Sequence, residues 1–334
     1  MVGILDNALM AGLETTYGAA APITSGVEAT GHSYKLRRPV RTSTYPRPGA
    51  HGEQADRNII MNHGGEGQFV TDIYTKGHGF WMQALLGTVA GPTETDQAGV
   101  YETIAETAVD APTQSFTIQG LQHDVSNNSR VATHLGAIVY KWSLEHAVTQ
   151  NNLMLTADWM SQNVVTDVDA GTPQYPDGAL PYDGESNVGM VTLDGGNPRC
   201  VRSWKLTADL GFLELRKCLD GTGLVKRPIR TKFPTYTLEV DLEWNGDDLL
   251  DKYAAGENIP VSILYTGDEL ADGVAESWAL DAPSMLLTED PFEVKSPTDG
   301  DDVGMLKLRG MIQHDQSIAE PMIRMTYVST DNAL

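Results

Sequence analysis

The ten residues Thr235–Trp244 read TYTLEVDLEW and decide the class of fold. Every even position is apolar, and the odd positions end in a stripe of three acids, Glu239, Asp241 and Glu243. Strict alternation with a period of two is typical of a β-strand that has one buried face and one solvent-facing face. Three acids on one face repel each other, so the stripe implies either a very salty solvent, as in a halophilic host, or a sheet that must present negative charge.

The composition narrows the class of protein. The chain has 334 residues, of which 41% are hydrophobic, so it can bury a sizeable core. Acids outnumber bases 45 to 23, for a formal net charge of −22, which argues against a protein that holds nucleic acid through phosphate contacts. We see no signal peptide and no apolar run near the roughly 18 residues of a membrane span, so we expect a soluble protein without membrane insertion. Cys200 and Cys218 have no CxxC partner, and we expect both to be small buried hydrophobes.

Strand signals dominate the rest of the chain. Alternating or β-branched runs separated by Gly, Asp, Asn and Pro predict further strands. They cover Ser115–Gln119, Ala137–Glu145, Leu153–Met160, Ser203–Phe212, Val261–Tyr265, Met305–Met311 and Met322–Val328. Two stretches have helical spacing and a glycine stop, His78–Gly87 and Asp247–Gly256, and each follows a strand. The expected fold is therefore mainly β, an antiparallel β-sandwich with one or two short flanking helices.

Charge is arranged in blocks along the chain. Residues 35–57 carry six bases against two acids and are rich in Pro and Gly, which predicts an extended arm. Its bases are Lys35, Arg37, Arg38, Arg41, Arg47 and Arg57. Residues 199–232 carry nine bases against three acids, whereas residues 239–302 carry 18 acids against two bases. Such blocks suit contacts between copies of the same chain, and the alternative is ordinary solvated surface.

The segment 167–197 is rich in Gly, Pro and Asp and is too long for a turn. We interpret it as an inserted loop, either an excursion or a mobile flap. The pattern of a strand followed by a short helix occurs once in each half of the chain. The chain is therefore either one unit, 1–334, or a pseudo-duplicated pair of about 1–165 and 199–334.

Signatures of catalysis and of cofactor binding do not emerge from the sequence. The eight histidines are scattered, and none forms a helical ligand pair. The glycine-rich run at residues 63–67 is not followed by Lys-Ser/Thr, so it is not a phosphate loop. The acids at 167–171 begin like a calcium loop, but no Glu closes it at the twelfth position. We predict no catalytic site, no metal and no cofactor.

The order of these local features resembles the major tail tube proteins of long-tailed (siphovirus-like) viruses of bacteria and archaea. The matching stretches cover most of the chain. They are Gly12–Gly18, Arg37–Pro48, Gly67–Tyr74 with Phe80–Gly87, Pro112–Gln119, Gly136–Glu145, Asn152–Met160, and Thr235–Trp244 with Asp247–Gly256.

The resemblance implies a structural virion protein whose stacked rings make a tail tube for DNA passage into the host cell. Inner strands of neighbouring subunits would join into a ring-shaped β-barrel. Four strands from each of six subunits give about 24 strands and a bore on the order of 40 Å, which admits a DNA duplex. A duplicated chain would reach this size as a trimer.

In that setting Glu239, Asp241 and Glu243 are candidates to line the lumen and to repel passing phosphates. The arm 35–57 is the candidate contact between rings. The implied partners are other copies of the chain, a tape measure protein and tail terminator or baseplate proteins, with assembly in the host cytoplasm. Two alternatives remain: another β-rich virion component (baseplate, tail terminator or decoration protein), or a β-sandwich binding module from a halophilic proteome.

Overall fold

The computed structural model describes most of the chain. The described residues are 8–42, 57–61, 64–107, 114–124, 128–148, 150–166, 168–183, 188–196, 198–213, 216–218, 222–271, 273–291, 305–318 and 320–333. They form two helices, α1 Gly79–Leu86 and α2 Asp248–Ala255. The strands are β1 Ala8–Leu13, β2 Ser25–Val27, β3 Ala29–Leu36, β4 Val40–Thr42, β5 Asn58–Ile60, β6 Gly65–Asp72, β7 Gly87–Glu94, β8 Tyr101–Thr107, β9 Phe116–His123, β10 Ser129–Ala147, β11 Gln150–Ser161, β12 Asn163–Val165, β13 Val188–Leu193, β14 Pro198–Arg199, β15 Val201–Asp209, β16 Thr235–Glu243, β17 Asn258–Ala271, β18 Val274–Leu287, β19 Met305–Ile312 and β20 Arg324–Ser329.

The predicted alternation of β16 is confirmed. Its even residues, Tyr236 to Leu242, are buried, and its odd residues face solvent. The strand ends at Glu243, one residue earlier than predicted, and Trp244 is exposed, where its Nε1 donates to the Gly246 carbonyl. Trp244 therefore does not extend the buried face, because the chain has already left the sheet to enter α2.

The strands form one large, branched antiparallel sheet, so the mainly β prediction is confirmed. One continuous path through it runs β3–β6–β11–β10–β15–β16–β19–β18–β20–β8–β7. β10 belongs to two regions of the sheet. Its second half lies on this path, whereas its first half pairs with β9 and β12; β9 in turn pairs with β1, and β1 with β2. The other edge of β18 pairs with β17, β17 pairs with β13, and β13 pairs with β14. β4 and β5 form a separate two-stranded ribbon.

The sheet folds back on itself to enclose one apolar core. Trp204 of β15 stacks on Trp278 of β18 with ring centroids 6.4 Å apart, and its Nε1 donates to the Tyr265 hydroxyl of β17 at 2.9 Å. Because the buried faces of β10, β15, β16 and β19 all turn toward this core, their opposite face is left in solvent.

The helices cover the core in different ways. α1 is buried along almost its whole length, and the Trp142 indole donates to the Leu85 carbonyl at its end. α2 buries only Leu249 and ends at Gly256, whose φ of 66° is the left-handed conformation that glycine adopts without strain. Both helices follow a strand and end at the predicted glycine.

The segment predicted as an inserted loop is held against the body in its described part. Tyr182 is fully buried, its N–H donates to the Ile73 carbonyl, and its carbonyl accepts from the Leu153 N–H. The second part of the segment contains β13, which pairs with β17 along six residues. These contacts favour the excursion over the mobile flap, and the choice between them stays a prediction.

Both cysteines are exposed and unpaired, contrary to the expectation that they are buried. Cys200 lies next to the start of β15, and Cys218 lies in the long connection between β15 and β16. The apolar character of cysteine did not predict burial here, because neither residue lies in a strand with a buried face.

Candidate assembly surfaces

The three predicted lumen acids lie together on the solvent face of the sheet, and one of them, Glu239, belongs to a row of alternating charge. We call this row the charged row. Its members are Glu145, Lys205, Glu239, Arg309 and Glu289; the first four stand directly opposite one another on neighbouring strands, and Glu289 joins the row through an ion pair with Arg309. Lys205 Nζ lies 2.6 Å from Glu145 Oε2, Arg309 Nε lies 3.3 Å from Glu239 Oε1, and Arg309 Nη1 lies 2.8 Å from Glu289 Oε1.

The other two acids also have partners from neighbouring strands. Asp241 stands between Ser203 and Lys307 and accepts a hydrogen bond from the Ser203 hydroxyl at 2.9 Å. Arg202 Nη2 lies 3.6 Å from Glu243 Oε1. The premise that the acids repel one another without compensation is therefore wrong. Each acid has a base or a donor across the strand, and opposite charges in that position stabilise a sheet.

The bases Lys205, Lys307 and Arg309 were not among the predicted site residues, although the sequence contains a signal for two of them. Lys307 and Arg309 alternate with Leu306 and Leu308 in a predicted strand, which already places them on a solvent face. Only the register between strands, which a single sequence does not provide, puts them opposite Asp241 and Glu239.

The structure divides the bases of the predicted arm into two groups. The first group belongs to the body: Lys35 ends β3, Lys35 and Arg37 lie 2.7 and 2.9 Å from the Glu66 carboxylate, and Arg38 donates to the Val164 carbonyl. The arm therefore begins after β3, and not at residue 35. Extended backbone with a regular pairing partner is a strand, and Glu66 on β6 supplies that partner.

The second group lies near the β4–β5 ribbon. Arg41 is on β4 and Arg57 immediately precedes β5, whereas Arg47 lies outside the described residues. The ribbon leaves Val40, Ile59 and Ile60 more than half exposed. Exposed apolar side chains grouped beside bases are typical of a contact surface between proteins.

A second surface with the same character lies in the connection between β15 and β16, which was not among the predicted contact segments. Phe233 is 92% exposed, and Leu213 and Ile229 are nearly half exposed. The backbone closes this connection by a bridge between Phe212 and Arg230. The basic block 199–232 covers most of it, so its charge was the signal that could have found it.

Within the described ranges, no three His, Cys, Asp or Glu side chains are grouped so that they could hold a metal ion. Neither α1 nor α2 is long and apolar enough to cross a membrane, and the described part of the chain has no other helix.

Comparison with known proteins identifies the family. No curated protein matches the sequence with significance. A family model described as phage tail tube protein matches residues 5–302, which is most of the chain. This match agrees with the mainly β fold. The chain therefore belongs to the phage tail tube protein family and is a structural protein of a viral tail.

Proposed function

We propose that copies of this chain form rings, and that the stacked rings make the tube through which viral DNA passes into the host cell. Membership of the phage tail tube family supports this role. The observation that carries it in the molecule is the continuous antiparallel sheet, which has one face sealed by the core and one polar face left in solvent. We also propose that the role involves no catalysis and no cofactor.

The polar face is the proposed wall of the bore, with Glu239, Asp241 and Glu243 in its centre. Its acids hold the side chains of Arg202, Lys205 and Arg309 by ion pairs or direct apposition. Bases occupied in this way are less available to DNA phosphates, and every phosphate contact that does not form lowers the affinity for the duplex. The acids then keep the wall from binding DNA by occupying the neighbouring bases, and not only by repelling phosphates.

Charge reversal on the wall tests this role. Changing Glu239→Lys together with Asp241→Lys frees the neighbouring bases and adds two more, so DNA should adhere and ejection from assembled particles should slow or stop. Tubes should still form, because these side chains lie outside the core. The matched control reverses Asp251 and Glu257, two exposed acids at α2. Normal ejection in the wall variant would contradict the proposed lining.

The β4–β5 ribbon, with Arg41 and its exposed apolar residues, is the proposed contact between stacked rings. A neighbouring ring of a chain with net charge −22 offers ample acidic surface to these bases. Replacing Val40, Ile59 and Ile60 by Ser should give single rings that no longer stack, visible by negative-stain electron microscopy at low and high salt. Replacing the exposed Val148 and Ile318 by Ser provides the control. Normal tubes from the ribbon variant would contradict this contact.

The remaining partners follow from the proposed tube. A tape measure protein would occupy the bore during assembly in the host cytoplasm, and a tail terminator and a baseplate would close the two ends. Electron microscopy of the purified wild-type protein separates the tube from the alternatives. Long tubes support it, whereas single unstacked rings at every salt concentration would favour a tail terminator instead.

A further inference from the structure

We propose that the chain is a tandem pair of one folding unit, and that ring neighbours join by repeating the junction between its two units, so that three chains close a ring. The inference rests on the proposed ring function and names the strands that form the contact. The two units are residues 8–165 and 188–329.

The order of elements is the same in both units. The equivalents are β1 and β13, β2 and β14, β3 and β15, β6 and β16, α1 and α2, β9 and β17, β10 and β18, β11 and β19, and β12 and β20. Within the described residues, the first unit adds the β4–β5 ribbon and the β7–β8 hairpin, which have no counterpart in the second. The second unit begins at β13, so its start lies about ten residues before the 199 expected from sequence.

The strand pairings repeat together with the order. Seven pairings of the first unit each have their counterpart in the second, all antiparallel. They are β1–β2 and β13–β14, β1–β9 and β13–β17, β9–β10 and β17–β18, β10–β11 and β18–β19, β10–β12 and β18–β20, β6–β11 and β16–β19, and β3–β6 and β15–β16. Hairpins between successive strands are common, but β1–β9 and β6–β11 join distant parts of the chain. Their recurrence therefore indicates a repeat.

The repeat extends to single residues. The β3–β6 ladder has a register shift between Ala29 and Gly31, and the β15–β16 ladder has one at the equivalent place, between Val201 and Ser203. In the next ladder, buried Phe69 faces Ala157 just as buried Val240 faces Leu308. The long connections from β3 to β6 and from β15 to β16 are also equivalent, and both carry bases and exposed apolar side chains.

The junction between the units is the pairing of β10 with β15. It runs from Lys141 opposite Asp209 to Ala147 opposite Ser203. It uses the same edge of β10 as β9 does, but β9 pairs only as far as Ala137. In the repeat, β15 is equivalent to β3. The second half of β10 is equivalent to the residues that follow Leu286, the last residue of β18 that pairs with β17. Among the described residues, β3 pairs only with β6, so its other edge is open for the same pairing.

The second partner of that pairing is residues 288–291. They continue β18 along β19, because the Thr288 N–H donates to the Arg309 carbonyl and the Lys307 N–H donates to the Pro291 carbonyl. β17 reaches only to Leu286 on the opposite edge. The geometry therefore pairs β3 of one copy with residues 288–291 of the next. Counting β3, β6, β11, β10, β15, β16, β19 and this segment, three copies give about 24 strands, the number that a bore near 40 Å requires.

The charges at the proposed contact are complementary. Inside the chain, Lys141 Nζ lies 3.4 Å from Asp209 Oδ2 across the junction. Carrying the registers through the equivalent ladders puts Glu289 in the place of Lys141 and Arg37 in the place of Asp209. The pair is again of opposite charge, with the signs exchanged between the two strands. Opposed opposite charges favour one register of a β pairing.

Disulfide cross-linking tests the contact. In a background with Cys200→Ser and Cys218→Ser, the pair Arg37→Cys with Glu289→Cys should cross-link neighbours in assembled tubes, because directly opposed strand residues lie within disulfide reach. A non-reducing gel should show dimers and trimers and nothing larger. The control pair, Lys141→Cys with Asp209→Cys, should close within one chain. The mismatched pair, Arg37→Cys with Glu257→Cys, should give no ladder.

The outcomes separate the two proposals. A ladder that continues to six chains would overturn the three-chain ring, and normal tubes without a ladder, when the control pair closes, would overturn the β3 contact. If the cysteine-free background forms neither rings nor tubes, the proposed function itself fails. Native mass spectrometry of unmodified rings gives an independent count, expected at three chains of 36.2 kDa each. Six chains in a ring would contradict the inference without any variant.

Discussion

Arg309 Nε lies 3.3 Å from Glu239 Oε1, and the same guanidinium group reaches Glu289 on its other side at 2.8 Å. One base on β19 thus connects the central strand of the polar face with the end of the sheet, where the next subunit is proposed to join. The acids of this face are consequently not an isolated negative stripe. Glu239 belongs to the charged row, in which acids and bases alternate across the strands, and in the proposed tube this row, not a uniform negative potential, would meet the DNA.

The Arg309 pairs should contribute little to the stability of the monomer. The Arg309 side chain is 46% exposed and that of Glu239 39% exposed, so solvent screens the attraction between them. We expect Arg309→Gln to lower the free energy of unfolding by less than about 1 kcal/mol at low salt, and by nothing measurable in about 1 M salt. Urea denaturation at both salt concentrations checks this, with the exposed Lys232→Gln as control. A loss of several kcal/mol that persists in salt would mean that the row is a structural element of the fold.

Glu14, in contrast, should be essential for stability. It is 1% exposed, and its carboxylate accepts hydrogen bonds from the Gly18 N–H, the Thr117 hydroxyl and the Gly136 N–H at 2.8–3.0 Å. Glu14→Gln replaces one acceptor oxygen with an NH₂ group that faces donors, so we expect a loss of about 2–3 kcal/mol in the free energy of unfolding. Urea denaturation measures it. The exposed Glu320→Gln should change stability by less than about 0.5 kcal/mol, and an equally small effect at Glu14 would contradict this role.

Much of the fold follows from patterns along single strands. β16 and β15 alternate strictly, and both helices end where glycine stops them, so these elements were predictable from the sequence. β10 was harder, because a bulge at Tyr140 shifts the alternation. As a result Val139, and not Ile138, joins Trp142 in the main core.

Features that depend on which strands are neighbours could not be predicted. β18 alternates as well as β16 does, but its acids and small residues gave no strong apolar signal. The partners of Glu239 come from positions 34 residues before it and 70 residues after it in the chain, namely Lys205 and Arg309. The proposed repeat was visible in the sequence only as a recurring strand and helix, because its evidence is strand order and pairing and not residue identity.

Two buried histidines should make the protein sensitive to acid. His78 and His134 are buried, and burial, which disfavours the charged imidazolium, lowers the pKa of each from 6.5 to about 3. The unfolded chain binds protons at these residues below pH 6.5 and the folded chain does not, so the stabilisation is complete above pH 6.5 and is lost as the pH falls toward 3. At pH 5 each histidine should lower the free energy of unfolding by on the order of 2 kcal/mol relative to neutral pH.

Urea denaturation at pH 7.5 and pH 5 measures this effect. The variants His78→Gln and His134→Gln should each lose less stability than the wild type between the two pH values, by on the order of 2 kcal/mol, whatever their stability at pH 7.5. The exposed His314→Gln is the control and should follow the wild type. If both core variants lose as much unfolding free energy between pH 7.5 and pH 5 as the wild type does, other groups cause the loss of stability in acid.

Tyr182 should hold the excursion 168–183 against the body. Its side chain is fully buried, with its ring 6.2 Å from that of Tyr265, and its backbone bonds to residues 73 and 153 on two different segments. Removing the ring in Tyr182→Ala should lower the free energy of unfolding by about 3–5 kcal/mol and loosen the segment, because the cavity and the lost apolar contacts remove its main anchor. Limited proteolysis with proteinase K should then cut within residues 168–183 much faster than in the wild type. Leu180→Ala, which truncates a mostly exposed side chain two positions earlier, is the matched control and should be cut at the wild-type rate. If Tyr182→Ala is destabilised but cut elsewhere first, the ring stabilises the core without anchoring the excursion.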